Sequence, residues 1–259
     1  MAHFDNKVAL VTGASRGIGR GIALRLAADG ADVVVNYRSH PGEAQAVADQ
    51  ITALGRRALL AQADVADRDA VQQMFAQAVA TLGRIDIAVA NAASSIRTPV
   101  IEAEWQHVLR TIEVCQFGVF HTCQLAAQQM VRQGQGGKII IISSVHEEIA
   151  VPNSAAYNMA KAAINHLCRT MAAELAGQRI NVNVINPGWI DTPGERAFAS
   201  EDELRAGGRR IPWGRMGTPD DIAGAVAFLA GADADYITGA MLRVDGGFKL
   251  GLQLPEPQE

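Results

Sequence analysis

Seven short apolar runs, rich in β-branched residues, alternate along this chain with longer segments of helical periodicity. The runs are 7–11, 32–36, 58–62, 85–89, 138–143, 180–185 and 241–244, and the helical segments are 17–29, 43–54, 67–81, 102–132, 154–176 and 219–230. Runs that are apolar on both faces, such as 139–142, are typical of parallel strands covered by helices on each side. The alternation predicts an α/β fold of the Rossmann type, a doubly wound, seven-stranded and mostly parallel sheet with helices on both faces.

One segment, residues 188–213, interrupts this alternation and is rich in proline, glycine and charge. A loop of that length in a compact domain is usually functional or disordered, and beside a cofactor site a substrate lid is the natural interpretation. A plain surface excursion is the alternative. No linker or internal repeat divides the chain, so we expect residues 1–259 to form a single dinucleotide-binding domain with a lid near 188–213.

The composition excludes several classes of function. A net charge of −4 and the lack of any basic run argue against nucleic acid as a partner. No signal peptide and no apolar stretch of about 20 residues is present, so we expect a cytoplasmic protein with no membrane contact. The three cysteines and six histidines lack the spacing of metal ligands, so no metal is expected.

A glycine-rich turn follows the first run and opens the first helical segment. It reads Thr12-Gly13-Ala14-Ser15-Arg16-Gly17-Ile18-Gly19. In this position Gly13 permits a tight turn, Gly17 lets the backbone approach a pyrophosphate, and Gly19 allows close helix packing. The helix N-terminus then offers free N–H groups to phosphates, which predicts a dinucleotide site that includes Ser15, Arg16 and Ile18.

The identity of the dinucleotide depends on the charges beside its ribose. An NAD-selective site usually has an acid at the end of the second strand, but here that stretch is Val35-Asn36-Tyr37-Arg38. Arg38 and Arg16 are suited to binding a 2′-phosphate, although both are also compatible with ordinary surface positions. We therefore expect NADP to be preferred and NAD to be tolerated.

Further polar or turn-forming residues follow other strands, at the edge where open α/β sheets bind ligands. We expect these residues to contact the cofactor: Asp64, Val65, Asn91, Pro187, Gly188, Ile190 and Thr192.

Tyr157 and Lys161 lie four residues apart in a helical segment, so both project from one face of the helix. Ser144 ends the preceding strand, thirteen residues before the tyrosine. A tyrosine with its ordinary pKa of about 10 is a poor base at neutral pH, and a lysine ammonium nearby is expected to lower that pKa. The three residues form a candidate catalytic set.

With these motifs the chain resembles the short-chain dehydrogenase/reductase family over about residues 5–247. The matching motifs are 12–19, Asp64, 91–93, Ser144, Tyr157, Lys161, 187–188 and 245–247. The resemblance implies that Ser144 positions the substrate oxygen, that Tyr157 exchanges its proton, and that Lys161 also binds the nicotinamide ribose. It also implies a homotetramer built through the helices near 102–132 and 154–176.

Within the family, the stretches 36–39 and 143–147 look like those of glucose 1-dehydrogenases. On that resemblance, His146 and Glu147 are candidate ligands of sugar hydroxyls, together with Ser144 and Tyr157. The implied function is hydride transfer between a nicotinamide dinucleotide and a small secondary alcohol or carbonyl compound, with a sugar or polyol as the leading substrate.

One departure affects the long helical segment. The family often has an asparagine there that supports a water-linked proton path, and the matching stretch here carries Cys115. A thiol is only a weak hydrogen-bonding group, which puts this path in doubt. The alternative functions are a 3-oxoacyl-[acyl-carrier-protein] reductase and a dinucleotide-binding protein without turnover.

Overall fold

The computed structural model describes residues 4–250, and its central element is one sheet of seven strands. All neighbouring strands pair in parallel, in the order β3-β2-β1-β4-β5-β6-β7. The strands are β1 (Val8–Val11), β2 (Asp32–Tyr37), β3 (Ala58–Gln62), β4 (Ile87–Ala90), β5 (Gly137–Ile142), β6 (Ile180–Pro187) and β7 (Met241–Val244). The predicted fold class and all seven predicted runs are confirmed.

Within residues 4–250, eight α-helices connect or follow the strands. They are α1 (Gly17–Ala28), α2 (Pro41–Ala53), α3 (Arg68–Leu82), α4 (Trp105–Ile112), α5 (Gly118–Gln133), α6 (Ala155–Leu175), α7 (Glu201–Arg209) and α8 (Pro219–Ala230). Helices α3 and α8 each begin with a side-chain cap. The Asp67 carboxylate accepts hydrogen bonds from the first turn of α3, and Thr218 and Asp221 form a reciprocal capping box at α8.

The sheet is buried on both faces. Ile139 and Ile141 of β5 belong to the core beneath α3, α5 and α6, whereas Ile140 and Ile142 belong to the core beneath α1, α2 and α8. Successive side chains of a strand point to opposite faces, so an uninterrupted apolar run supplies both cores at once. No helix within residues 4–250 is long and apolar enough to cross a membrane.

The predicted helix at 102–132 has an internal irregularity. A π-helical turn, Glu113–Phe117, lies between α4 and α5, and Cys115 is buried at its centre. Such a turn adds a residue to the helical repeat and is common at functional sites. It is positioned against the loop that follows β4.

The segment 188–213, predicted as a loop, contains helical structure. It includes a short 3₁₀ turn, Glu195–Ala197, and α7, whose start is fixed by a capping box between Ser200 and Glu203. Periodicity did not predict α7 because this helix is short, mostly exposed and contains Gly207 and Gly208.

Candidate active site

A cleft of about 890 Å³ lies at the carboxyl ends of the strands. This volume is within the range of sites that bind small molecules and cofactors. Of the predicted site residues, the following line the cleft: Gly13, Ser15, Arg16, Gly17, Ile18, Gly19, Arg38, Asp64, Val65, Asn91, Ser144, His146, Tyr157, Lys161, Pro187, Gly188, Ile190 and Thr192. The sequence therefore located most of one continuous site, with Glu147 as the exception.

The glycine-rich turn at the floor of the cleft needs its glycines for two different reasons. Gly13 and Gly17 have φ angles of +64° and +55°, in the left-handed region that other residues rarely adopt. Gly19 is required by proximity, because a Cβ atom there would stand 2.2 Å from the carbonyl oxygen of Gly13. The first turn of α1 thus lies directly against the chain leaving β1.

Two asparagines, the buried Asn36 and the half-buried Asn91, hold this turn in place, and the sequence did not indicate this role. Asn36 accepts a hydrogen bond from Gly13 N at 3.1 Å and donates to the carbonyls of Ala61 and Ala63. Asn91 donates from Nδ2 to the carbonyl of Thr12 at 2.8 Å. The available signal was a polar residue near the end of each strand, Asn36 in β2 and Asn91 just after β4. Their hydrogen-bond partners lie in other segments of the chain, which the signal does not reveal.

These features fit a dinucleotide. No side chain caps the N-terminus of α1, which opens onto the cleft, so its first N–H groups are available to phosphate oxygens. The absence of Cβ atoms at Gly13 and Gly19 lets the turn pack closely against Asn91 and Ala92, which fixes the position of these N–H groups at the cleft. When bound, a nicotinamide dinucleotide supplies the hydride acceptor or donor.

The charges at the adenosine end of the cleft are mainly positive. Arg16 and Arg38 are exposed there. Asp64, the acid at this end, accepts a hydrogen bond of 2.5 Å from Arg110. Burial alone would raise the pKa of Asp64, but hydrogen bonds from Ala66 N and Arg110 hold it below its usual range. Asp64 is therefore an ionised, already paired carboxylate.

The three candidate catalytic residues meet at the middle of the cleft. Lys161 is fully buried and donates from Nζ to the carbonyl of Ile142, the last residue of β5, at 2.8 Å. Its Nζ lies 5.1 Å from the centre of the Tyr157 ring. The Ser144 hydroxyl accepts a hydrogen bond from His146 N at 3.2 Å and lies beside Tyr157.

The expectation that Lys161 lowers the pKa of Tyr157 is wrong. Burial raises the pKa of Tyr157, and the nearby Cys115 and Glu195 act in the same direction, whereas the Ser144 hydroxyl and the charge of Arg97 oppose them. Burial also lowers the pKa of Lys161. Desolvation outweighs attraction here because both groups lie in the same buried pocket. Tyr157 is therefore a neutral phenol at pH 7.

Of the two predicted sugar ligands His146 and Glu147, only His146 lines the cleft. His146 lines the cleft, with its ring edge-on to Tyr157 at 5.2 Å between centroids. Glu147 does not line it, because its Oε1 accepts a hydrogen bond from Asn186 of β6 at 3.1 Å. The prediction that Glu147 contacts substrate is therefore corrected. Its carboxylate is instead hydrogen-bonded to the buried Asn186.

A cluster across the mouth of the cleft joins the segment 188–213 to the loop after β4. Arg97 donates to both carboxylate oxygens of Glu195, at 2.9 and 3.1 Å, and lies over the Phe198 ring at 4.4 Å. Trp189 Nε1 donates to the same carboxylate at 3.0 Å. Neither Arg97 nor Glu195 was singled out from the sequence, since only the fold brings these distant residues together.

Comparison with known proteins agrees with this geometry. A family model described as enoyl-(acyl carrier protein) reductase matches residues 13–249. The chain is 40% identical over 254 residues to an L-rhamnose 1-dehydrogenase (NAD(P)(+)) of Sphingomonas sp. (strain SKA58), covering 98% of this chain and 100% of that protein. A crystal structure of a short-chain type dehydrogenase/reductase from Mycobacterium marinum matches with a TM-score of 0.90 and 39% identity, covering 95% of this chain and 96% of that one. This chain is a short-chain dehydrogenase/reductase.

This short-chain dehydrogenase/reductase is accordingly an enzyme that transfers hydride between NAD(P) and CH–OH or carbonyl groups. Its relatives differ in substrate. The chain is also 42% identical over 245 residues to the 3-oxoacyl-[acyl-carrier-protein] reductase FabG of Staphylococcus aureus (strain Mu50), covering 93% of this chain and 97% of that protein. The substrate must therefore be argued from the site itself.

In this dehydrogenase/reductase the Cys115 thiol has defined partners. Its Sγ donates to the carbonyl of Ser94 at 3.1 Å and accepts from Ser94 N at 3.3 Å. Both backbone groups of one residue in the loop after β4 are thus satisfied by the π-helical turn. Despite the weakness of a thiol as a hydrogen-bonding group, Cys115 joins the helix to the loop that carries Arg97.

Proposed function

We propose that this enzyme oxidises a secondary hydroxyl of a neutral sugar or polyol, as a glucose 1-dehydrogenase does, and reduces the matching carbonyl in reverse. The observation that carries the proposal is the substrate end of the cleft, which is polar but has paired charges. Arg97 and Glu195 neutralise each other while presenting N–H donors and carboxylate acceptors, and His146 adds a third polar group. Such a site suits hydroxyl groups, because each buried polar group needs a partner.

The catalytic set supplies acid–base chemistry and orientation. In reduction, the neutral Tyr157 phenol donates its proton to the carbonyl oxygen, and the Ser144 hydroxyl hydrogen-bonds to the same oxygen. In oxidation, Tyr157 must first lose its proton and then accepts that of the substrate hydroxyl. Lys161 is held by the carbonyl of Ile142 and binds the ribose of the cofactor beside Tyr157.

The test is to assay the purified enzyme with D-glucose, L-rhamnose, other sugars and polyols, using NADP and NAD separately. We expect saturable turnover of one or more neutral sugars or polyols and none with their carboxylate counterparts. Turnover restricted to carboxylate-bearing substrates would contradict the proposal, because such substrates need an unpaired positive charge, whereas Arg97 is already paired with Glu195.

A 3-oxoacyl-[acyl-carrier-protein] reductase is the second candidate, favoured by the identity to FabG. The carrier protein is acidic and needs a basic surface, for which Arg205, Arg209 and Arg210 are available at the end of α7. The start of the same helix carries three acids, Glu201, Asp202 and Glu203, which weaken this surface. Efficient reduction of an acetoacetyl thioester, with no activity on sugars or polyols, would establish this second function in place of the first.

We propose NADP as the preferred cofactor, with NAD tolerated. Arg38 and Arg16 face the adenosine end, and Asp64 is already paired with Arg110. The Arg38→Leu variant should lose about 10- to 100-fold in kcat/KM for NADP, since a hydrogen bond to a charged group contributes about 1.5–3 kcal/mol. The kcat/KM for NAD should stay nearly unchanged. Steady-state kinetics with both cofactors measure this.

Arg20→Leu is the matched control, because Arg20 lies on α1 and donates to Gln50 outside the cleft. It should leave both cofactor constants unchanged. Equal losses for NADP and NAD in Arg38→Leu would contradict a 2′-phosphate role for this arginine.

We also propose that the enzyme is a cytoplasmic homotetramer and that the segment 188–213 is its substrate lid. Large apolar side chains remain exposed along α4, α5 and α6, and these include Trp105, Phe120 and Met159. Such a surface is typical of a subunit interface. The three cysteines are free thiols, as is common in a reducing compartment. Sedimentation of the purified enzyme tests the tetramer.

A further inference from the structure

His146 has an asparagine partner that determines which of its ring nitrogens carries a proton. His146 Nδ1 lies 2.9 Å from Asn158 Oδ1, and Asn158 Nδ2 donates to the carbonyl of Val151 at 3.0 Å. A carbonyl accepts only, so the amide nitrogen of Asn158 must face Val151 and its oxygen must face His146. The Nδ1 atom is then the donor, and in the neutral ring Nε2 is an acceptor.

The surroundings of His146 favour this neutral form. Burial lowers the pKa of His146, as do the charges of Arg97 and Lys161, whereas the hydrogen bond to Asn158 and the charge of Glu195 oppose the change. The other titratable group facing the ring is Tyr157, a neutral phenol at pH 7. At pH 7 the imidazole is therefore uncharged, with an unprotonated Nε2.

We infer that Asn158 is a positioning residue that holds His146 as an acceptor, and that His146 Nε2 selects substrates with a hydroxyl on the carbon next to the reacting carbon. The inference rests on the proposed function, whose substrates are polyhydroxylated. His146 lines the cleft and its ring centroid lies 5.2 Å from that of Tyr157, so a substrate whose reacting oxygen meets Tyr157 and Ser144 would place a neighbouring carbon beside His146.

The selection follows from hydrogen-bond chemistry. A neighbouring hydroxyl donates to Nε2, so both groups are satisfied. A neighbouring carbonyl would place two acceptors in contact and leave both without a donor in a desolvated site. Acyloins, vicinal diols and sugars thus fit, whereas a carbonyl flanked directly by a second carbonyl does not.

The protonation of the ring can be measured without turnover. In ¹⁵N-histidine-labelled wild-type enzyme at pH 7, the His146 resonances should show a protonated Nδ1 and an unprotonated Nε2, and His146→Gln identifies these signals by their absence. The isosteric Asn158→Asp keeps the acceptor for Nδ1 but adds a negative charge, so it should raise the pKa of His146 and protonate Nε2. A wild-type ring protonated at Nε2 would overturn the inference.

Kinetics test the selection itself, with acetoin and diacetyl as small probes that differ in the neighbouring group. Each is reduced by one hydride from the dinucleotide and one proton, to butane-2,3-diol and acetoin respectively. The ratio of kcat/KM for acetoin to that for diacetyl should be roughly tenfold higher in wild type than in a variant without the Nε2 acceptor, since leaving a buried acceptor unsatisfied costs about 1–3 kcal/mol. Comparing variants cancels the greater intrinsic reactivity of the diketone. Asn158→Asp, assayed where NMR shows Nε2 protonated, should lose this preference, and His146→Gln, whose amide both donates and accepts, should reduce it.

An unchanged acetoin preference in both variants would overturn the inference. A different result would contradict the proposed function: the wild-type enzyme would reduce acetoin but would not turn over sugars or polyols. The two failures are therefore distinguishable.

Discussion

The Tyr157→Phe variant is expected to lose about 100- to 10,000-fold in kcat, the usual contribution of a general acid–base group. The substitution removes only the phenolic hydroxyl, and the ring that packs against His146 remains. Dinucleotide affinity and melting temperature should therefore stay close to those of wild type. Steady-state kinetics, cofactor titration and thermal unfolding give the three values. Tyr236→Phe is the control, because Tyr236 is fully exposed.

The pH dependence of the same enzyme gives a second readout for Tyr157. Because burial raises the pKa of this phenol, it is protonated throughout the neutral range. Alcohol oxidation, which needs the phenolate, should rise with pH, and carbonyl reduction, which needs the phenol, should fall at alkaline pH. Residual activity of Tyr157→Phe should lack both slopes. A variant that keeps the wild-type rate and pH profile would remove Tyr157 from the chemistry.

Gly19→Ala is expected to weaken dinucleotide binding by about 10- to 100-fold, on the basis of the usual 1–3 kcal/mol cost of overpacking. The new Cβ atom would stand 2.2 Å from the carbonyl oxygen of Gly13 and 2.6 Å from Asn91 Nδ2. The backbone of the turn must then shift, together with the N–H groups of α1 that face the phosphates. Titration of the protein with NADP and NAD measures the loss.

Gly42→Ala is the matched control for this substitution. Gly42 lies in the first turn of α2, and a Cβ atom there would meet nothing within 4 Å. It should leave dinucleotide affinity unchanged. If Gly19→Ala bound the dinucleotide as wild type does, the glycine-rich turn would not be the phosphate site.

Local sequence patterns predicted the frame of the site. The strand runs, the glycine spacing from Gly13 to Gly19 and the four-residue spacing of Tyr157 and Lys161 each involve neighbours in sequence. In a parallel sheet all strands end at the same edge, so residues such as Asn91 and Gly188 were also expected to meet there. These features did not depend on knowing any side-chain contact.

What the sequence did not predict depends on contacts between distant segments. Glu147 was interpreted as a sugar ligand, but its carboxylate accepts a hydrogen bond from Asn186, 39 positions away. The pair of Arg97 and Glu195 spans 98 positions. A sequence pattern indicates which residues lie at a strand end or in a loop. It does not indicate which distant residue forms their hydrogen bonds or ion pairs in the folded chain.

The pKa of Tyr157 shows the same limit for electrostatics. Proximity to Lys161 alone predicted a lowered pKa, but the structure buries Lys161 and partly buries Tyr157, and desolvation is the larger effect for the tyrosine. The sign of a pKa shift depends on desolvation, which is a property of the packed cleft rather than of residue spacing.

The most direct test of the account uses an alcohol that wild type oxidises, deuterated at its carbinol carbon. We expect the deuterium to appear on the reduced nicotinamide, with NADP the more efficient acceptor, and we expect Tyr157→Phe to bind the dinucleotide but to transfer almost no deuterium. Oxidation of the alcohol with the deuterium released to solvent, or transfer at the wild-type rate by Tyr157→Phe, would contradict direct hydride transfer governed by this tyrosine.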